Sequence, residues 1–407
     1  MRRRYSLRVY LAGAVAARSG DEMSGPALML AGFAVAGSAV EASLLLAGIT
    51  ISAAVGGPVL GVLLDRAGRP GRLLAGALVL YAAGLGMILA GLGRLPFGVT
   101  MLIAVVTGLL GPALSGGWTA QLPRLALGDR LPRANALDAM TFSGASLAGP
   151  ALAGGVAEAL GASSAVVVSV ALIALALPAA WMLPTRPGRV RETRTTSLIS
   201  DLAAGTRVIV GRAALARATL SSVVSCVAQG MLMACVPLLG ERVLGGAGRG
   251  AVLLSCVAVS ALAANAVLAR FPRAVAPDTI IWVSALVQAA ALALAAVGSP
   301  FVLIVAVLVA GIGEGPQLAA LFAVRHREAP DHLRGQIFTT GASLKITGFA
   351  LGAAVAGPLV TWSLPGALTL AASVAVLAAL AFFAVPAATA HSSADGTLSL
   401  ERPRGKG

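Results

Sequence analysis

The stretch Gly61-Val-Leu-Leu-Asp65-Arg66-Ala-Gly68-Arg69-Pro-Gly-Arg72 decides how this chain is read. It joins two long apolar runs, at 41–64 and 72–92, each long enough to supply the ~20 residues a helix needs to cross a bilayer core. Glycines give a tight turn its backbone freedom. Arginines anchor a short loop at an anionic membrane surface. Asp65 is the odd member, a carboxylate at the end of a membrane helix among cations. Negative charge is favoured at a helix N-terminus, so Asp65 is expected to accept hydrogen bonds from the start of a neighbouring helix. Such a contact latches one conformation and releases in another.

Outward from this loop the pattern repeats. Further apolar runs fall at 9–34, 97–119, 136–158 and 163–183, then at 214–239, 250–269, 278–298, 300–323, 336–361 and 364–386. The 407 residues are 58% hydrophobic and 11% charged, against about 25% charged in a soluble domain. The surface of such a chain must face lipid. The expected fold class is therefore an all-α integral membrane protein of twelve transmembrane helices.

The formal net charge of +14 does not indicate nucleic acid. The basic residues, nearly all Arg, stand in short clusters between apolar runs and form no single patch of the kind phosphate contacts need. With the N-terminus inside, 25 of the 30 fall in inside segments, and only Arg94, Arg242 and Arg249 fall outside. The positive-inside rule then puts both termini in the cytoplasm. Arg2, Arg3 and Arg4 before an apolar stretch, with Ala14-Val15-Ala16, resemble a signal peptide. The apolar run resumes at Gly25, so the segment is expected to stay as span one. Cys226, Cys235 and Cys256 lie in apolar runs and read as packing residues. His326, His332 and His391 lie outside the runs, and no metal site or cofactor is expected.

The longest polar stretch, from Pro184 to about Arg212, separates six spans from six. The expected organisation is an N-terminal six-helix bundle over 1–183, a cytoplasmic linker over 184–213, a C-terminal six-helix bundle over 214–386 and a disordered cytoplasmic tail over 387–407. Within the linker, Leu198 to Val210 is weakly amphipathic and suited to the membrane surface. The halves echo each other. Gly111-Pro112 answers Gly315-Pro316, and Gly144-Ala-Ser with Gly149-Pro150 answers Gly341-Ala-Ser with Gly357-Pro358. Two repeats around a central site are a common transporter plan.

The 61–72 segment resembles the G-x-x-x-D-R-x-G-R loop signature of the major facilitator superfamily. In that family it joins helices two and three and helps hold one access state. The resemblance gives Gly61, Asp65, Arg66, Gly68, Arg69 and Arg72 the role of a conformational-switch loop. The counterpart at Ala266 to Arg273 lacks both Gly and Asp. In span five, Gly144, Gly149, Pro150, Gly154 and Gly155 resemble the family's fifth-helix motif of antiporting exporters, with one residue too many between Gly144 and Gly149. Helix packing through small residues accounts for the same pattern. The stretch Asp129 to Asp138 is similar to the loop between helices four and five of efflux-type members. The Arg that proton-coupled drug exporters often carry inside helix four is missing, since 97–119 has no charge.

Charges inside a bilayer are costly and mark functional positions. In span one, Arg18 lies three residues before Asp21 and four before Glu22, so all three can share a helix face. One Arg cannot neutralise two carboxylates, and the excess acid is a candidate proton carrier. A structural charge cluster is the competing reading. Ser24-Gly25-Pro26 suggests a break in this helix. Glu314 stands central in span ten among Gly311, Gly313, Gly315 and Pro316, and Lys345 stands in span eleven. The two are expected to pair, as a structural bridge or as a site that opens for substrate or proton. Gln229 and Gln288 are polar options for substrate contact, and Glu158 reads as interfacial.

No GxxxxGK precedes a Ser or Thr, so ATP-driven pumping has no P-loop. No GxSxG elbow exists, and no His stands in an apolar run, so a membrane-embedded enzyme is disfavoured. The resulting expectation is a monomeric secondary transporter that exports a drug-like molecule or metabolite by proton antiport. Its site is expected between spans one, four, seven and ten. Asp21 or Glu22, with Glu314, would exchange protons, and Arg18 and Lys345 would meet anionic groups. Import or facilitated diffusion of a small metabolite is the alternative. The Ala, Gly and Arg bias suggests a high-GC bacterial genome and hence the plasma membrane.

Overall fold

The computed structural model describes residues 6–36, 39–185, 197–245 and 249–386. The Arg2–Arg4 cluster, residues 186–196 of the linker and the tail from 387, which includes His391, lie outside the described residues. Every secondary-structure element among the described residues is helical. The first half comprises α1 (Leu7–Ala36), α2 (Ala39–Arg66), α3 (Pro70–Gly91), α4 (Phe97–Gly108), α5 (Leu131–Leu160), α6 (Ala162–Leu175) and the short α7 (Leu177–Trp181). After α8 (Leu198–Gly211), the second half comprises α9 (Ala213–Leu244), α10 (Gly250–Arg270), α11 (Pro277–Ala295), α12 (Pro300–Glu328), α13 (Arg334–Trp362) and α14 (Leu364–Ala384).

Ten of these segments are long and apolar enough to cross a membrane by length and composition. The two that fall short, α1 and α5, are the most polar in composition. Arg18, Asp21 and Glu22 interrupt α1, and Gly, Ser and Thr dilute α5. Each still runs 30 residues, about 45 Å at 1.5 Å per residue, and each packs along the other and along α6. They complete twelve crossings.

Two helices depart from the sequence expectation. Span four is not one helix. It turns at Leu109–Leu110 and continues through a π-helical segment, Ala113–Gly117. Pro112 supplies no N–H to the preceding turn, which breaks the regular ladder. The break expected at Ser24-Gly25-Pro26 is absent, because α1 runs unbroken through Pro26. The Ser24 hydroxyl donates to the Asp21 carbonyl at 2.7 Å, one turn before Pro26.

The helices of each half pack mainly on one another, and each half has its own apolar core. The halves meet along α2 with α13 and along α5 with α10 and α12. One buried cluster spans both, with Ala136 and Ala139 from α5, Ala269 from α10, Phe322 from α12 and Phe338 from α13. All of it lies toward the end that carries the Arg-rich loops. There Gly61 permits α2 to approach α13 so closely that any Cβ would collide with the backbone of Gln336. Large apolar side chains such as Leu102, Phe301 and Trp362 point outward and exposed, as lipid-facing residues do.

The amphipathic stretch after the linker forms α8, which packs across the Arg-rich ends of α2, α9 and α13. Ser197 caps its start by accepting from the Ser200 N–H. Asp201 pairs with Arg66 at 2.8 Å, and the Gln336 side chain donates to the Leu202 carbonyl.

Candidate functional site

A cavity of about 320 Å³ lies between the two halves. Its lining includes Arg18, Asp21 and Glu22 of α1, Tyr81 of α3, Phe142 of α5, Phe322 and Arg325 of α12, and Phe338 and Lys345 of α13. Drug-sized ligands occupy pockets of about 300–1,000 Å³, so this one suits a small molecule. Phe142, Phe322 and Phe338 form an aromatic run from one half to the other, with ring centroids 5.7 and 6.0 Å apart.

The α1 charges line the same cavity but make no ion pair with one another. Arg18 turns away from Asp21 and Glu22 and pairs with Asp138 of α5 at 2.9 Å, both almost fully buried. The same guanidinium donates to Thr119 at 2.9 Å, to the Asp138 carbonyl and to Thr141, and its plane lies over the Phe142 ring. Asp138 also accepts from the Tyr10 hydroxyl at 3.0 Å and from Thr119 at 2.8 Å. A buried ion pair is stable only when its remaining lone pairs and protons are satisfied, and here nearly all are. The separation has a geometric cause. Arg18 at the α1–α5 contact finds a carboxylate across the interface, while Asp21 and Glu22, one turn on, face the cavity.

Asp21 accepts from the Tyr81 hydroxyl at 2.7 Å. Glu22 is exposed to the cavity and lies beside Ser146. Gly149 of the fifth-helix motif sits where a Cβ would strike Glu22 and the Met23 backbone, so it sets the α1–α5 spacing. Gly154 and Gly155 face open space, and Gly144 is in ordinary contact distance of Leu262. Pro150 is exposed and α5 continues through it. Glu158 is exposed near the end of α5.

On the second bundle, Glu314 does not line the cavity but lies close enough to Glu22 and to Lys345 for their charges to interact. The expected Glu314–Lys345 pair is not a direct bridge, since no ion pair joins them among the described residues. Lys345 lines the cavity and Glu314 does not, and the two interact through their charges without a direct ion pair. Gln229 donates to Gln288 at 2.9 Å, Gln288 donates to Gln317 at 3.0 Å, and Gln317 donates to Ser225 at 2.9 Å. The glutamines expected to contact substrate instead satisfy one another between α9, α11 and α12, and none of them lines the cavity.

The 61–72 segment lies at the Arg-rich end. Asp65 is buried and accepts from the Gly335 N–H at 2.9 Å and the Gln336 N–H at 2.8 Å, at the start of α13. Arg66 pairs with Asp201, and Arg72 lies over Trp181. Arg69 sits at the N-cap of α3 and Gly68 is in open space. On the other side of the same end, Asp129 pairs with Arg273 across the halves.

Four site residues are not marked by the sequence. Tyr81 stands in an apolar run with no polar neighbour. Asp138 closes the loop-like stretch 129–138 at the start of the 136–158 run. Arg325 and His326 lie beyond the apolar run that ends at 323, whereas α12 continues to Glu328 and buries both.

The family model of the Major Facilitator Superfamily matches residues 10–343. An uncharacterized MFS-type transporter, y4rN, of Sinorhizobium fredii is 29% identical over 335 residues, 81% of this chain and 82% of that one. The human organic anion transporter MFSD10 (TETRAN) superposes with a TM-score of 0.76 at 16% identity, over 94% of this chain and 100% of that chain. A bacterial homologue of the iron transporter ferroportin, in its outward-facing state, gives 0.75 at 16% identity over 93% and 98%. The transporter FucP, in the outward conformation, gives 0.70 at 15% identity over 93% and 98%. By its family match and its two-bundle fold alike, the chain belongs to the Major Facilitator Superfamily and is a membrane transporter of a small substrate.

Proposed function

We propose that the protein is a proton-coupled exporter of a small organic molecule, acting as a monomer in a bacterial plasma membrane with both termini in the cytoplasm. The observation that carries this reading is a pair of carboxyl groups at the cavity with a third close behind it. Asp21 and Glu22 of the first bundle line the cavity, and Glu314 of the second bundle, outside the lining, is near enough to Glu22 for their charges to interact. Acids that face each other between two moving bodies are suited to take a proton on one side and release it on the other. The bundles, 1–183 and 214–386, rock about this cavity. The Arg-rich end is the cytoplasmic one, and its closure by Asp65 on α13 supports an access path opened to the opposite side.

The test is substrate-induced proton movement in proteoliposomes that hold a pH dye inside. A panel of drugs and metabolites is added outside to vesicles with an acid lumen. Lumenal alkalinisation that requires the protein supports antiport. Substrate flux with no proton movement would return Asp21, Glu22 and Glu314 to structural roles and favour a uniporter.

A further inference from the structure

Arg325 is buried at 2% exposure and has no carboxylate partner. Its Nε and Nη2 meet no hydrogen-bond partner in the protein. Its ring contact is loose, with the guanidinium carbon 5.8 Å from the Phe338 centroid. Gly341 of α13 leaves room for this guanidinium, since a Cβ there would overlap it. A buried arginine without a partner is costly, and this one borders the cavity. Lys345 borders the same cavity without an ion pair, and both cations lie near the Cys226 thiol of α9.

The rest of the cavity is charged unequally. The one further cation in the lining, Arg18, is engaged by Asp138. Asp21 and Glu22 make the α1 wall acidic. On the second bundle the lining holds two cations, Arg325 and Lys345, and no acid, while Glu314 lies outside the lining within reach of the Lys345 charge. An anion entering the space is repelled by the α1 wall and drawn to the α12–α13 wall. The aromatic run of Phe142, Phe322 and Phe338 offers an apolar surface beside that wall.

We infer that Arg325 and Lys345 form an anion subsite, and that the substrate is a small organic acid whose carboxylate, sulfonate or phosphate sits on these two cations with its apolar body against the three phenylalanines. This rests on reading the cavity as the transport site, and it is independent of the direction and coupling of transport. A planar guanidinium is suited to pair with the two oxygens of such a group.

The test is binding to the purified full-length protein in detergent, which needs no coupling and no transport. Benzoate, naphthoate and phenyl phosphate are compared with benzamide and benzylamine by calorimetry and thermal shift. The acids are expected to bind and to raise the melting temperature, with the amide and amine at least tenfold weaker. Arg325→Lys is expected to lower affinity about tenfold and Arg325→Gln about a hundredfold, because a fork of charge-assisted donors is lost. Lys345→Gln lies between them. Arg325→Met without ligand is expected to melt higher than the wild type, because an unpartnered buried charge is gone. Lower melting of Arg325→Met would show a structural arginine and overturn the subsite. Equal binding of amide and acid, or no binding by any acid in the panel, would overturn it as well. Failure of the proton-flux experiment alone would leave this binding pattern intact and would count only against proton coupling.

Discussion

Asp65 and Gly335 stand 270 residues apart in sequence and 2.9 Å apart in space, the carboxylate of one accepting the backbone N–H of the other. With the Gln336 N–H at 2.8 Å, Asp65 satisfies two of the donors that the start of α13 leaves unpaired. Negative charge at a helix N-terminus adds about 0.3–1 kcal/mol, and hydrogen bonds to a charged group add about 1.5–3 kcal/mol. Contacts of this size are suited to bias a two-state equilibrium toward the state that makes them.

Asp65→Asn is therefore expected to move the population by at least tenfold toward opening of the Arg-rich end. Spin labels at Leu127 and Phe271, exposed positions on opposite bundles at that end, report it by electron–electron distance measurement in a background without Cys226, Cys235 and Cys256. A new long-distance population is the expected result. An unchanged distribution would show that Asp65 is not a latch.

Gly61→Ala tests the same contact by shape. The added methyl collides with Gln336 only while α2 and α13 stay packed. Overpacking costs about 1–3 kcal/mol, so the same label pair should lengthen without loss of fold. A shift as large in Gly68→Ala, where the space is open, would mean that the loop responds to any substitution.

The Arg18–Asp138 pair joins α1 to α5 and is expected to be structural. Arg18→Met leaves Asp138 buried with its charge unmatched, at a cost of about 3–5 kcal/mol. The double variant Arg18→Met with Asp138→Leu should recover most of that loss. Denaturation of the four proteins in mixed micelles gives the cycle. A double variant as unstable as the sum of the singles would contradict the pairing.

The glutamine chain is expected to separate packing from substrate contact. Gln317→Leu leaves the Gln288 amide N–H without an acceptor and the Ser225 hydroxyl without its donor in the interior, at about 1–3 kcal/mol. Gln229→Leu sits at the more accessible end of the chain and should cost less, with substrate affinity unchanged. A loss of affinity in Gln229→Leu without a loss of stability would restore it as a substrate contact.

Much of the fold was legible because lipid and loop chemistry act locally. Apolar run length and Arg clusters mark crossings and ends residue by residue. The 61–72 segment was legible for the same reason, since its glycine, carboxylate and arginines share one turn. The cavity was legible only in part. Asp21, Glu22 and Lys345 announced themselves as charges in apolar runs. The partner of Arg18 did not, because Asp138 lies 120 residues on and its pairing depends on how α1 and α5 pack. Arg325 was hidden by its neighbours: the run Arg325-His326-Arg327-Glu328 reads as a loop in sequence, and only the extra helical turn packed against Gly341 buries it.

The most direct test of proton-coupled export is the proton flux of the variant Asp21→Asn, Glu22→Gln, Glu314→Gln beside the wild type. Both are reconstituted in proteoliposomes with an acid lumen and a trapped pH dye, and challenged with the same transported compound. The account predicts compound-induced alkalinisation in the wild type and none in the triple variant, with compound exchange at equal pH retained by both. Undiminished proton movement in the triple variant would contradict it.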